Sequence, residues 1–86
     1  MKAQIVVARN LRRLRVAKGL AQEALAVDAG VDRTYVSRVE RGRENPTVGV
    51  LERLAKALNA DIADFFDTGK ARSQISPLPS GRRRKS

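Results

Sequence analysis

Apolar residues in this chain fall in short blocks at helical spacing, and each block is closed by a residue that tolerates a left-handed backbone. Val7, Leu11 and Leu14 form the first block, Leu25 and Ala29 the second, Val36 and Val39 the third, and Val50, Leu51, Leu54, Ala55 and Leu58 the fourth. Spacings of three and four residues gather such side chains on one face of a helix. Gly19, Gly30, Gly42 and Asn59 stand where the patterns stop, and these residue types end helices because positive φ costs them little. The pattern predicts helices over residues 3–18, 22–29, 33–41 and 48–58, with a short fifth piece over 62–66 opened by Asp61. No stretch alternates as a strand would. The expected fold is all-α and compact, occupying residues 1–67.

Local chemistry at the helix starts is uneven. Asp32 and Thr47 carry oxygens suited to capping the third and fourth helices, and Val31 is placed to pack on Val36 as a hydrophobic staple. The second helix begins after Ala21, which has no oxygen to offer, at an expected cost of about 1 kcal/mol. After Phe66 the periodicity dissolves into prolines, glycines and serines, and Ile75 and Leu78 are the only large apolar residues left. Residues 68–86 are therefore expected to form a disordered tail.

Composition removes several classes of function. The 86 residues contain no cysteine and no histidine, which excludes disulfide scaffolds, Cys- or His-ligated metal sites and His-dependent acid–base catalysis. No nucleophile–base pair or phosphate-cradling loop is visible, so neither an enzyme nor a bound cofactor or metal is expected. The apolar runs are too short to span a membrane, and a soluble, cytoplasmic protein is expected. The net charge of +9 is unequally shared: residues 1–67 carry 12 basic and 9 acidic side chains, whereas residues 68–86 carry six basic ones and no acid. This asymmetry points to a polyanionic partner.

The most informative segment is QEALAVDAGVDRTYVSRVER, residues 22–41. Two short helices meet at Ala29-Gly30-Val31, a turn that needs positive φ at its glycine. Ala26 allows close crossing, and Leu25, Ala29, Val31, Val36 and Val39 supply the inner face. Arg33, Thr34, Tyr35, Ser37 and Arg38 remain on the outer side of the second of these helices, a surface able to donate, accept and stack.

Residues 5–66 resemble the Cro/C1 (XRE) family of helix-turn-helix regulators, a five-helix repressor-like domain of phages and bacteria. The likeness lies in NLRRLRVAKGLAQEALA, AGVDRTYVSRVERG and RENPTVGVLERLAKALNA, and GVDRTYVS with ERG close behind is also similar to controller proteins of restriction–modification systems. The resemblance implies binding to double-stranded DNA, with the helix near 33–41 in the major groove and a homodimer on a palindromic operator. It places Arg33, Thr34 and Arg38, with Tyr35 and Ser37 beside them, against base edges. It places Gln22, Arg41, Arg43 and Asn45 against phosphates, and it matches Arg15 and Glu40 to a structural ion pair joining the first and third helices. Ala21 departs from the family's usual Ser or Thr. Ile62, Phe65 and Phe66 are open to two roles, dimer surface or core. A second reading of the whole chain is an antitoxin that neutralises a partner protein through the tail, with Ile75-Ser76-Pro77-Leu78 as the anchor.

Overall fold

A computed structural model of the chain describes residues 1–73. Helix α1, Ala3–Ala17, starts without a side-chain cap and closes at Lys18, ahead of Gly19. Helices α2, Gln22–Ala29, and α3, Arg33–Glu40, follow, joined through Gly30 at φ +71°. Helix α4 spans Val48–Leu58 and ends on Asn59 at φ 53°. A 3₁₀ segment, Ile62–Phe66, and a last helix, α5, Thr68–Ser73, complete the described residues, among which no strand occurs. None of these helices is long and apolar enough to cross a membrane.

The caps follow the side-chain chemistry. Asp32 accepts from the Thr34 amide at 3.0 Å and Thr47 from the Val50 amide at 3.1 Å. Asp61 and Asp64 form a reciprocal capping box around the 3₁₀ segment. Ala21 makes no cap, as its side chain dictates.

One core serves α1 to α4 and the 3₁₀ segment. Leu11, Leu25, Val36, Leu54 and Phe65 are fully buried, and Val7, Val39, Leu51 and Leu58 join them. Leu14, Val31, Tyr35, Val50 and Ile62 pack against this cluster from partly exposed positions. Burying a Leu or Phe side chain contributes about 1.5–3 kcal/mol, so these few residues supply most of the driving force for so small a domain. The 3₁₀ segment separates its two aromatic residues: Phe65 is in the core, whereas Phe66 is 49% exposed. Of the two roles left open for this region, core packing is the one Phe65 takes.

The expected boundary at residue 67 needs correcting. Residues 68–73, read as the start of a disordered tail, form α5, which packs on α1 and buries Ala71 completely. Its first turn is held by Asp67, whose carboxylate accepts from the Lys70 amide at 3.0 Å. The remainder of the expected tail, including Ile75-Ser76-Pro77-Leu78 and the basic cluster 82–85, lies outside the described residues.

Asn10 ties the two ends of the domain together. It is fully buried, and its Nδ2 donates to the carbonyls of Phe65 at 2.9 Å and Asp67 at 3.0 Å. Its Oδ1 accepts from Arg13 Nη2 at 3.0 Å and from Arg13 Nε at 3.2 Å. All of its polar capacity is satisfied, which is the condition for burying an amide without loss.

Candidate nucleic-acid interface

The orientation of α3 is set by its apolar side. Val36 and Val39 are buried at 0% and 1% exposure, which turns the opposite face to solvent. Arg33, Thr34 and Arg38 are exposed there and Ser37 is half-buried beside them. Tyr35 sits differently from its neighbours: it is half-buried and packs on the core cluster. Burial, and secondarily the charge of Glu44, pushes its phenol above the ordinary value.

The C-terminal end of α3 is fixed by a single carboxylate. Glu40 accepts from Arg15 Nε at 2.5 Å and from Arg15 Nη2 at 3.0 Å, a two-point ion pair. The side chains are 13% and 4% exposed for Arg15 and Glu40. The hydrogen bond to Glu40 raises the Arg15 pKa, burial opposes it, and the charge of Glu40 adds to the rise. Arg15 Nη1 also donates to the Leu20 carbonyl at 2.7 Å, just before α2. Gln22 Nε2 donates to Glu40 Oε1 at 3.1 Å. Glu40 therefore joins α1, α2 and α3, and it holds the amide of Gln22 close to the end of α3. The bond from Gln22 was not legible in the chain, because its partner lies 18 residues away with no spacing rule between them.

The loop after α3 is built from the helix end. Arg41, Gly42 and Arg43 donate their amides to the carbonyls of Ser37, Val39 and Arg38 at 3.1, 3.0 and 2.9 Å. Gly42 has φ +72°, and its carbonyl accepts from Gln4 Nε2 at 2.9 Å. With this loop pinned on α1, Arg41, Arg43 and Asn45 are all exposed. Sequence reasoning missed two contributors here. Gln4 holds the loop from the start of α1, and Glu44 bonds Arg38 Nε at 2.7 Å across the exposed surface. Glu44 carried a faint signal, as an acid set among Arg41, Arg43 and Asn45.

Comparison with known proteins agrees with this geometry. Residues 6–65 match the family model described as a helix-turn-helix domain. A hypothetical transcription factor of Neisseria meningitidis serogroup B is 53% identical over 53 residues, covering 62% of this chain and 50% of that protein, so the chain spans half the length of this relative. An HTH-type transcriptional regulator of Sinorhizobium fredii is 47% identical over 65 residues, covering 76% of this chain and 84% of its own. The crystal structure of the restriction–modification controller protein C.AhdI from Aeromonas hydrophila superposes with a TM-score of 0.72 at 43% identity, covering 73% of this chain and 96% of that one. With two short helices meeting at Gly30, an outward polar face on the second, and these similarities across most of its length, the chain belongs to the helix-turn-helix family of transcriptional regulators of the Cro/C1 (XRE) type.

Proposed function

We propose that this protein is a sequence-specific regulator of transcription that lays α3 in the major groove of a palindromic operator, which it binds as a homodimer in the cytoplasm, on the nucleoid. One observation carries the reading: a polar face of α3, with Arg33, Thr34 and Arg38 exposed on it, is held in fixed orientation by the core beneath it and by the Glu40 carboxylate at its end. Arg33 and Arg38 can donate to guanine O6 and N7, Thr34 can meet a thymine methyl, and Ser37 and Tyr35 border them. Arg41, Arg43 and Asn45 then lie along the phosphates, fixing register without reading sequence. Gln22 stands at the uncapped start of α2, where free helix amides favour a phosphate.

A recognition helix this short contacts few base pairs, which is the reason for a two-fold dimer on two half-sites about one helical turn apart. Of the three residues weighed for the dimer surface, Phe66 is the one left exposed.

The test begins by selecting a duplex from a random pool with the intact protein. The selected and a random duplex are then titrated against the wild type, Arg33→Ala and Arg38→Ala at one salt concentration. Loss of roughly 1–3 kcal/mol of discrimination in each variant supports base reading. Equal weakening on both duplexes would mark these arginines as phosphate contacts, and a pool without enriched sequence would refute specific binding.

A further inference from the structure

The outward surface around α3 is crowded with arginine, and such a surface binds phosphate wherever it lands. Arg33, Arg38, Arg41 and Arg43 all lie exposed on α3 and the loop that follows. Glu44 stands among them with its carboxylate committed to one: Oε2 accepts from Arg38 Nε at 2.7 Å. The Arg38 side chain is 47% exposed and that of Glu44 30%, so water screens the pair and it adds little to folding. Its consequence lies in what it does to the guanidinium. A carboxylate on Nε leaves the terminal edge free, with two nitrogens spaced to meet guanine O6 and N7 together. The same contact restrains the side chain from swinging to a phosphate, and the negative charge of Glu44 opposes a phosphate at that point.

Resting on the reading of α3 as the base-reading helix, we infer that Glu44 is a specificity-determining residue, which holds Arg38 for end-on reading of a guanine and withholds it from the DNA backbone. Removing the acid then makes the protein a tighter binder of arbitrary DNA and a poorer discriminator. A purely structural contact would lower binding to every duplex alike.

The test uses the full chain and two labelled duplexes, one selected from a random pool by the wild type and one random sequence of equal length. Binding is titrated at several salt concentrations for the wild type, Glu44→Gln, Glu44→Ala, Arg38→Ala and Arg38→Ala/Glu44→Ala, with a thermal melt of each to show that it is folded. The selected-to-random affinity ratio is expected to fall about ten-fold in both Glu44 variants, the size of one good base contact. Their affinity for the random duplex rises, and log K falls more steeply with log salt by about 0.9, one additional phosphate contact. In the Arg38→Ala background, removing Glu44 leaves the ratio where Arg38→Ala has put it. An unchanged ratio in folded Glu44→Gln overturns the inference, as does an equal fall with and without Arg38, which would make Glu44 a reader of bases in its own right. A wild-type ratio near one would instead refute the underlying reading of sequence-specific binding, and the two failures are separated by the wild-type titration alone.

Discussion

Gly42 and Gly30 offer a controlled comparison within one molecule. Both hold nearly the same backbone, at φ +72° and +71°. A Cβ built on Gly30 meets nothing within 4 Å, whereas one on Gly42 lands 2.6 Å from Ile5 Cδ1. An L side chain in the left-handed region costs roughly 1–2 kcal/mol, and the stiffer unfolded chain of an alanine variant returns about 0.4–1 kcal/mol. Gly30→Ala is therefore expected to destabilise by about 1 kcal/mol. Gly42→Ala carries the same loss plus a steric one. Carbon atoms pack best at about 3.5–4.0 Å, so the tip of Ile5 must retreat by roughly 1 Å. Overpacking of this kind costs about 1–3 kcal/mol. Because Cδ1 ends a flexible side chain on a half-buried residue, the lower end applies, and Gly42→Ala should lose about 2 kcal/mol in total. Urea denaturation of both variants, analysed at a common slope, measures the difference. Ile5→Val supplies the decisive control, since it deletes the atom in collision while the next atom, Cγ1, stands 3.9 Å away. In the Gly42→Ala background it should recover the excess of about 1 kcal/mol that separates Gly42→Ala from Gly30→Ala. If the two glycine variants lose equal stability, or if Ile5→Val shows no coupling to Gly42→Ala, the steric reasoning is wrong.

Other consequences are open to direct measurement. Glu40→Ala and Arg15→Ala should each destabilise by roughly 3–5 kcal/mol, and the double variant by much less than their sum, because each single change strands a buried partner; additive losses in thermal melts would show that the ion pair contributes no coupling. Asn10→Ala should cost about 1–3 kcal/mol, because the Phe65 carbonyl loses its Asn10 donor while the Asp67 carbonyl keeps the Ala71 amide, and a urea midpoint matching the wild type would contradict that role. Tyr35 is the only tyrosine and there is no tryptophan, so ultraviolet absorbance reports its phenol alone. Its folded pKa lies above the ordinary phenol value of 10.0, so its contribution to stability is complete below pH 10 and is lost as pH rises through the folded value. Glu44→Gln should move that midpoint downward, and an unmoved midpoint would remove Glu44 from the surroundings of Tyr35. Truncation after Ser73 should flatten the salt dependence of DNA binding, since residues 82–85 take four positive charges with them; an unchanged slope would show that those charges do not meet phosphate.

How much of this was readable in the chain differs from element to element for physical reasons. Helices α2 and α4 have the predicted bounds, because glycine or asparagine stops them at one end and apolar periodicity begins abruptly at the other. The Arg15–Glu40 pair was reached through family resemblance, and the structure bonds it at two points. Helix α5 was missed because Gly69 and the neighbouring cations imitate a tail, and its burial rests on the small side chain of Ala71. Asp67 was a usable sign of its start, as a capping residue just before Thr68. The division between Phe65 and Phe66 depends on a 3₁₀ turn, where successive side chains point about a third of a turn apart. Hydrophobicity alone could not assign one of them to the core. Arg38 shows a further limit: its outward position followed from periodicity, but its partner Glu44 is a loop residue that no periodicity governs.

The bond from Asn10 to the carbonyls of Phe65 and Asp67 has a bearing on the order in which the protein matures. The amide sits in the first helix, and its acceptors lie 55 and 57 residues downstream. Until those acceptors have been synthesised and have left the ribosome, Asn10 has to remain hydrated and α1 lacks the surface that completes its packing. The outward face of α3 is made earlier, yet the helix that carries it rests on α1. A nascent chain that already contains all of α3 is thus expected to lack a firmly seated one, and a newly made molecule becomes competent to compete for its target only when the last described elements close over the first.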